Sequence, residues 1–285
     1  MAGAIERQAH AKVNLWLNVV GRRADGYHLL HSLAAFSDLA DTLAAEPSDG
    51  LSLSLDGPGA TTLAAESDNL VLKAARRLAD CAGVAPRAAL RLTKRIPVAA
   101  GLGGGSADAA AALTALVDLW RLALPVEELF DLAAALGADV PMCLAGRASI
   151  VSGVGERLEP APRLPACAIL LVNPGVALPT SAVFAARSGE FSVAEPVTRP
   201  WNDLDGFVEA LARRGNDLTD AAAALCPAIA DVLAFLRQSP RARYAAMSGS
   251  GATCFALFET QSAAEQAAAT VPAAWWRHAG SLVSG

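Results

Sequence analysis

The chain has 285 residues, 53% of them hydrophobic and 18% charged, with a formal net charge of −5. That balance supports a large buried core and excludes a disordered chain. The net negative charge also excludes a polycationic surface for nucleic acid or anionic membrane, so the expected partner is a small molecule. Five cysteines, at 81, 143, 167, 226 and 254, are scattered and never spaced C-x-x-C. They read as reduced thiols of a cytoplasmic protein, not as a disulfide scaffold or a structural zinc site, and no residue is assigned as a metal ligand.

In chain order, residues 10–20 alternate apolar and polar, as a half-buried strand does, and nothing before them has the pattern of a signal peptide. Turn chemistry follows at Arg22-Arg23-Ala24-Asp25-Gly26-Tyr27. A strand is expected over 51–55, ending in a turn at Gly57-Pro58, then a helix over 69–82 capped by Asn69 or Asp68. Residues 88–96 form another alternating strand, stopped by Pro97. Helices over 107–122 and 126–136 follow, the second ended by Gly137. Strands are expected at 148–151 and 168–172. The uncharged stretch 164–186 contains three prolines and reads as a buried strand plus loop, not a membrane helix. Further on come helices near 203–213, 218–224, 227–237 and 261–270, with strands at 242–247 and 253–258. Strands and helices mix without regular βαβ alternation, which predicts an α+β architecture, and glycine and proline density marks a boundary between 153 and 165.

The run Gly101-Leu102-Gly103-Gly104-Gly105-Ser106 stands between a strand and a helix. Residues without side chains let a polyphosphate approach the backbone, successive N–H groups can face it, and the helix adds its positive end. The competing reading is a tight strand-to-helix turn that needs glycine for geometry alone. No lysine follows the run, so it is not a Walker A loop. Ser106 occupies the sixth position, so it is not a dinucleotide fingerprint. Lysine is also scarce, standing only at 12, 73 and 94 among 23 basic residues, which draws attention to Lys12 inside an apolar strand.

Three segments in this order resemble the GHMP kinase superfamily: Ala11-Lys12-Val13-Asn14-Leu15, Pro97 to Ala107, and Met247-Ser248-Gly249-Ser250-Gly251-Ala252-Thr253-Cys254. Four further segments resemble one branch of it, whose substrate is a cytidine-diphosphate-linked polyol. These are Gly21 through His28, Gly137-Ala138-Asp139-Val140-Pro141, Asn173-Pro174-Gly175-Val176 with Pro179-Thr180, and Asn216-Asp217-Leu218. The resemblance implies a two-lobed fold, with a ribosomal-protein-S5-like N-terminal lobe over 1–158 and a ferredoxin-like α/β C-terminal lobe over 159–285. It implies phosphoryl transfer from ATP to the 2-hydroxyl of a cytidylyl-linked methylerythritol, giving ADP and the 2-phosphate, in non-mevalonate isoprenoid precursor biosynthesis.

By the same resemblance Asp139 is the catalytic base and Lys12 its cationic partner. ATP lies against Pro97, Val98, Ala99, Ala100, Gly101, Leu102, Gly103, Gly104, Gly105, Ser106 and Ala107. Substrate contacts fall to Asn14, Tyr27, His28, Thr180, Phe184, Gly249 and Ser250, with Tyr27 and Phe184 on the two faces of the cytosine and His28 at its edge. Residues 107 and 108 are Ala and Asp where the family often has Ser-Asn, so Mg²⁺ is expected to be held mainly by the nucleotide phosphates. Asn14 reads equally as a hydroxyl contact or a structural amide, and Arg22 and Arg23 as facing diphosphate or water. Loss of Lys12 or Asp139 would mark a catalytically dead relative, and both are present. A small substrate such as homoserine would need no stacking pocket at Tyr27-His28.

Overall fold

The structure, a computed structural model, describes residues 4–60, 69–197 and 199–283. Two long strands open the chain, β1 (Ile5–Arg22) and β2 (His28–Glu46), and they pair with each other. β2 is absent from the sequence expectation. Eleven consecutive positions from His31 to Asp41 are buried except Asp38, so no period-2 alternation exists to find. The chain divides into two compact units that interleave in sequence and share β1 and β2.

The first unit comprises residues up to Ala11, Leu39–Val98 and Gly103–Gly146. Its strands β3 (Leu51–Asp56) and β4 (Ala88–Thr93) run parallel, and β4 pairs antiparallel with the end of β2, from Thr42↔Thr93 to Glu46↔Ala89. Helix α1 (Leu70–Ala82) begins as expected at Asn69, whose side chain accepts from Val71 N at 2.9 Å. The alternative cap, Asp68, lies outside the described residues. Val71, Ala74, Ala75, Leu78 and Ala79 form its buried stripe. Helices α2 (Gly104–Leu119), α3 (Val126–Leu136) and α4 (Val140–Ala145) complete the unit. Helix α2 is lined with buried alanines, which let α1 and α4 approach it closely. Leu78, Leu92, Leu113 and Leu116 are fully buried beside them. Each such leucine contributes about 1.5–3 kcal/mol of transfer free energy.

The second unit comprises Lys12–Asp38, Ala99–Leu102 and Arg147–Gly285. The order β10-β7-β9-β8 is antiparallel throughout, built from β7 (Ala168–Asn173), β8 (Tyr244–Met247), β9 (Cys254–Phe258) and β10 (Trp276–Val283). The start of β2 pairs with β5 (Ser149–Gly153), which pairs with β6 (Arg157–Pro160). All six residues of β7 are buried, as its unbroken apolar run requires. Five helices accompany these strands: α5 (Thr180–Ala186), α6 (Leu204–Arg214), α7 (Thr219–Leu225), α8 (Ala228–Gln238) and α9 (Gln261–Ala269). Helix α5 replaces the loop expected at the end of 164–186. Pro179 precedes its first turn, where a missing N–H costs nothing. The mostly antiparallel pairing confirms the α+β class.

Candidate active site

The glycine run is assembled in two parts. In the second unit Gly101 has φ +75°, and a Cβ there would lie 2.1 Å from the carbonyl oxygen of Gly251. The two glycine-containing segments therefore meet backbone to backbone, a separation that no side chain permits. Thr253 Oγ1 donates to Ala100 O at 2.5 Å, and Lys12 N donates to Leu102 O at 2.9 Å, fixing this stretch between β1 and the start of β9. Ala99, just before it, also holds positive φ, at +57°.

In the first unit the run becomes helix earlier than expected. Gly103, at φ +65°, is the N-cap, and Gly104 and Gly105 form the first turn of α2, three residues ahead of the predicted start at 107. Propensity alone puts glycine outside a helix, but here tertiary structure needs it inside. A Cβ on Gly104 would lie 3.1 Å from Ile96 Cγ2 and 3.3 Å from Lys94 Nζ. Gly105 is different, because a Cβ there would meet nothing within 4 Å. No side chain caps this helix, so the cap leaves the first-turn amides to another acceptor, and part-buried Ser106 adds a hydroxyl beside them.

Asp139 stands at the N-cap position of α4, which packs against α2. Its backbone carbonyl accepts from Cys143 N at 3.1 Å, whereas its carboxylate makes no capping bond. Lys12 and Asn14, on one face of β1, are both buried in the second unit. Asn14 Nδ2 donates to Ser32 Oγ at 2.8 Å, and its backbone N donates to Ser248 Oγ at 3.0 Å. Its Oδ1 would lie 3.1 Å from a Cβ on Gly249, so the loop backbone passes close over it. Asn216 Nδ2 holds that loop by donating to the carbonyls of Met247 and Gly249, each at 2.8 Å. Ser250 Oγ and Thr180 Oγ1 are 2.9 Å apart.

The Arg22–Tyr27 turn uses its own charges. Arg22 Nε donates to Gly26 O at 3.1 Å, Arg23 pairs with Asp25 Oδ2 at 2.7 Å, and Asp25 Oδ1 accepts from Tyr27 N at 3.2 Å. Tyr27 itself is 66% exposed. The His28 ring stacks on Phe184, with centroids 5.2 Å apart and planes 26° from parallel. Partial burial, Arg22 and Arg187 hold the His28 pKa below its ordinary value, so the imidazole is neutral at neutral pH. His28 and Phe184 thus face each other directly, and a base stacking on Phe184 from that side displaces the imidazole.

Three charged residues of the first unit, to which the sequence assigns no role, come together in the structure. Lys94 Nζ contacts carboxylate oxygens of both Asp41 and Asp108, the latter at 2.7 Å, and all three side chains are 3% exposed or less. Asp41 also accepts from the backbone N–H groups of Arg95 and Ile96 at 2.5 and 2.8 Å. The available signal was the scarcity of lysine, which applies to Lys94 as much as to Lys12. In the sequence Asp217 stands out only as part of Asn216-Asp217-Leu218. It accepts from Val19 N at 2.7 Å and Ser192 Oγ at 2.8 Å, tying β1 to the segment before α6.

Residues 69–147 match the family model for the GHMP kinases N terminal domain, and 194–277 match that for the GHMP kinases C terminal. With the glycine-opened helix, these matches define a small-molecule kinase of the GHMP class, whose members use ATP. A 4-diphosphocytidyl-2-C-methyl-D-erythritol kinase from Rhodospirillum rubrum is 52% identical, over 99% of this chain and 94% of that protein. The crystal structure of a 4-(cytidine 5'-diphospho)-2C-methyl-D-erythritol kinase superposes with TM-score 0.82 at 40% identity, covering 99% of this chain and 100% of the other. Homoserine kinase from Cytophaga hutchinsonii shares the fold at TM-score 0.71 and 19% identity, over 99% of this chain and 96% of its own. The chain belongs to the 4-diphosphocytidyl-2-C-methyl-D-erythritol kinase family.

Proposed function

We propose that this protein transfers the γ-phosphoryl group of ATP to the 2-hydroxyl of 4-diphosphocytidyl-2-C-methyl-D-erythritol, giving ADP and the 2-phosphate. The step belongs to non-mevalonate isoprenoid precursor biosynthesis. The observation that carries this reading is the 52% identity to a kinase of that name over nearly the whole of both chains. In a coupled ADP-release assay, the cytidylyl substrate should give ATP-dependent turnover while homoserine, mevalonate and galactose give none. Turnover on homoserine alone would replace this reading with a homoserine kinase.

In the proposed mechanism Asp139 accepts the proton of the attacking hydroxyl, and the hydroxyl oxygen forms the new bond to phosphorus as the bond to the ADP oxygen breaks. Lys12 supplies positive charge that stabilises the moving group. The amides of Gly103 to Ser106 and the positive end of α2 hold the phosphates, a role supported by the absence of a side-chain cap. The nucleotide phosphates would chiefly hold Mg²⁺, with the Ser106 hydroxyl available beside them, and the ion would supply charge neutralisation. Asn14, Thr180, Gly249 and Ser250 line the polyol and diphosphate side. Tyr27 and Phe184 stack on the cytosine, and His28 pairs with its edge once it leaves Phe184. The same reading divides the chain at residue 158, between the two family-model matches, whereas the compact units divide it otherwise, the second taking Lys12–Asp38 and the chain from Arg147 onward. A cytoplasmic location fits the five free cysteines, and no helix among the described residues is long and apolar enough to cross a membrane.

The lowered pKa of His28 gives a directional test. The neutral ring pairs with the base, so KM for the cytidylyl substrate should stay flat from pH 8 down past the ordinary histidine value and rise only below it. Replacing His28 by Gln should raise KM at every pH and abolish that acid rise. A variant with an unchanged profile would remove His28 from the base edge.

A further inference from the structure

We propose that Lys94, gripped by Asp41 and Asp108, is the positioning residue of the phosphate-holding helix end, setting the affinity for ATP without touching it. The inference rests on reading the glycine run as the ATP site.

The geometry is specific to the loop. Asp41, on β2, binds the backbone N–H groups of Arg95 and Ile96, where the chain leaves β4 toward the glycine run. Asp108, on α2, lies one turn beyond Gly104 and fixes the same helix end from inside. Lys94 bridges the two carboxylates, and its Nζ would lie 3.3 Å from a Cβ on Gly104. The ammonium therefore sits directly beneath the first turn of α2. It ties the chain entering the run to the helix leaving it, with the amides of the first turn held between. Gly104 is needed so that this turn can settle onto Lys94 and Ile96, which explains a glycine that no ligand contact requires.

The charge count adds a second consequence. Two carboxylates and one ammonium leave one uncompensated negative charge when all are ionised, and Asp108 Oδ1 is buried with no hydrogen-bond partner. Burial and the Asp41 charge push the Asp108 carboxyl up to about 7, outweighing Lys94, while Asp108 and Asp41 together hold Lys94 above its ordinary value despite burial. Among the described residues, Lys94 and Asp41 are the charged groups facing Asp108. A protonated Asp108 makes the cluster neutral. An ionised one places negative charge beneath a helix end that receives polyphosphate, so KM for ATP rises as pH climbs through about 7.

The test uses the full-length protein with Mg²⁺ in excess. First, wild-type turnover establishes the ATP reading itself; no turnover there overturns that reading and not this one. Asp108→Asn keeps the shape and the contact to Lys94 but cannot ionise. It should fold, and it should lose the rise in KM for ATP between pH 6 and 8 that the wild type shows. The titration of ATP itself is common to both proteins and cancels. Lys94→Met should raise KM for ATP at least tenfold while changing KM for the cytidylyl substrate less than twofold. A folded Lys94→Met variant with KM for ATP within twofold of wild type would overturn the proposal. If that variant does not fold, an Asp108→Asn pH profile superimposable on wild type overturns it instead.

Discussion

Replacing Asp139 by Ala is expected to lower kcat by about 10²–10⁴-fold, the range that a positioned base contributes, while leaving Tm within a few degrees of wild type. The separation of effects follows from local structure. Asp139 occupies the N-cap position of α4, yet its carboxylate makes no capping bond, so truncation removes no helix-stabilising interaction of that kind. Pro141 and the backbone bond from Cys143 N to Asp139 O keep the turn in place. KM for ATP should hold steady, because the proposed phosphate site is at the glycine run. Steady-state kinetics with a parallel thermal melt reads both effects. Turnover within threefold of wild type would take Asp139 out of the base role, and a large fall in Tm would make its role structural.

The glycine run gives the second large effect, and its members should fail for different reasons. Gly101→Ala forces positive φ on a residue with a Cβ and drives that Cβ into the Gly251 carbonyl oxygen. The strain and the displaced backbone should cost on the order of 3 kcal/mol, lowering Tm by several degrees and abolishing activity through the fold. Gly105→Ala should do the opposite to stability. A methyl there meets no protein atom and the backbone is helical, so alanine contributes up to about 1 kcal/mol. If the proposed phosphate site is correct, activity should nevertheless fall, with KM for ATP raised at least tenfold, because phosphate would then occupy the space beside Gly105. A stable Gly105→Ala variant with normal KM for ATP would mean that the run is glycine-rich for folding alone.

That contrast also shows how far the residues could be read without coordinates. The chemistry-bearing segments were legible because each concentrates unusual residue types: glycines before an alanine helix, lysine in an apolar strand, a Tyr-His pair beside a turn. What the segments do locally was less so. The helix was expected to begin after the glycines, since propensity places glycine outside. Instead the packing of Gly104 on Lys94 and Ile96 draws two of them into the first turn. Residue types do not alternate in β2 from His31 to Asp41, whereas they do in β3 and in β1, although β1 is also buried on both faces from Ala11 to Val19. The Asp41–Lys94–Asp108 cluster was invisible for a different reason. Its members come from separate elements, 53 and 14 residues from Lys94 along the chain, and only folding brings the charges together. From sequence Arg22 and Arg23 could face diphosphate or water, and in the structure both engage within their own turn.

The central claim is tested most directly by locating the transferred phosphate. Purified protein, ATP, Mg²⁺ and 4-diphosphocytidyl-2-C-methyl-D-erythritol should yield one new phosphomonoester resonance by ³¹P NMR, with ³¹P–¹³C coupling to C2 of the polyol across the ester oxygen, in equal amount to ADP. A phosphate on any other hydroxyl, or ADP formed with inorganic phosphate and unchanged substrate, would contradict the account.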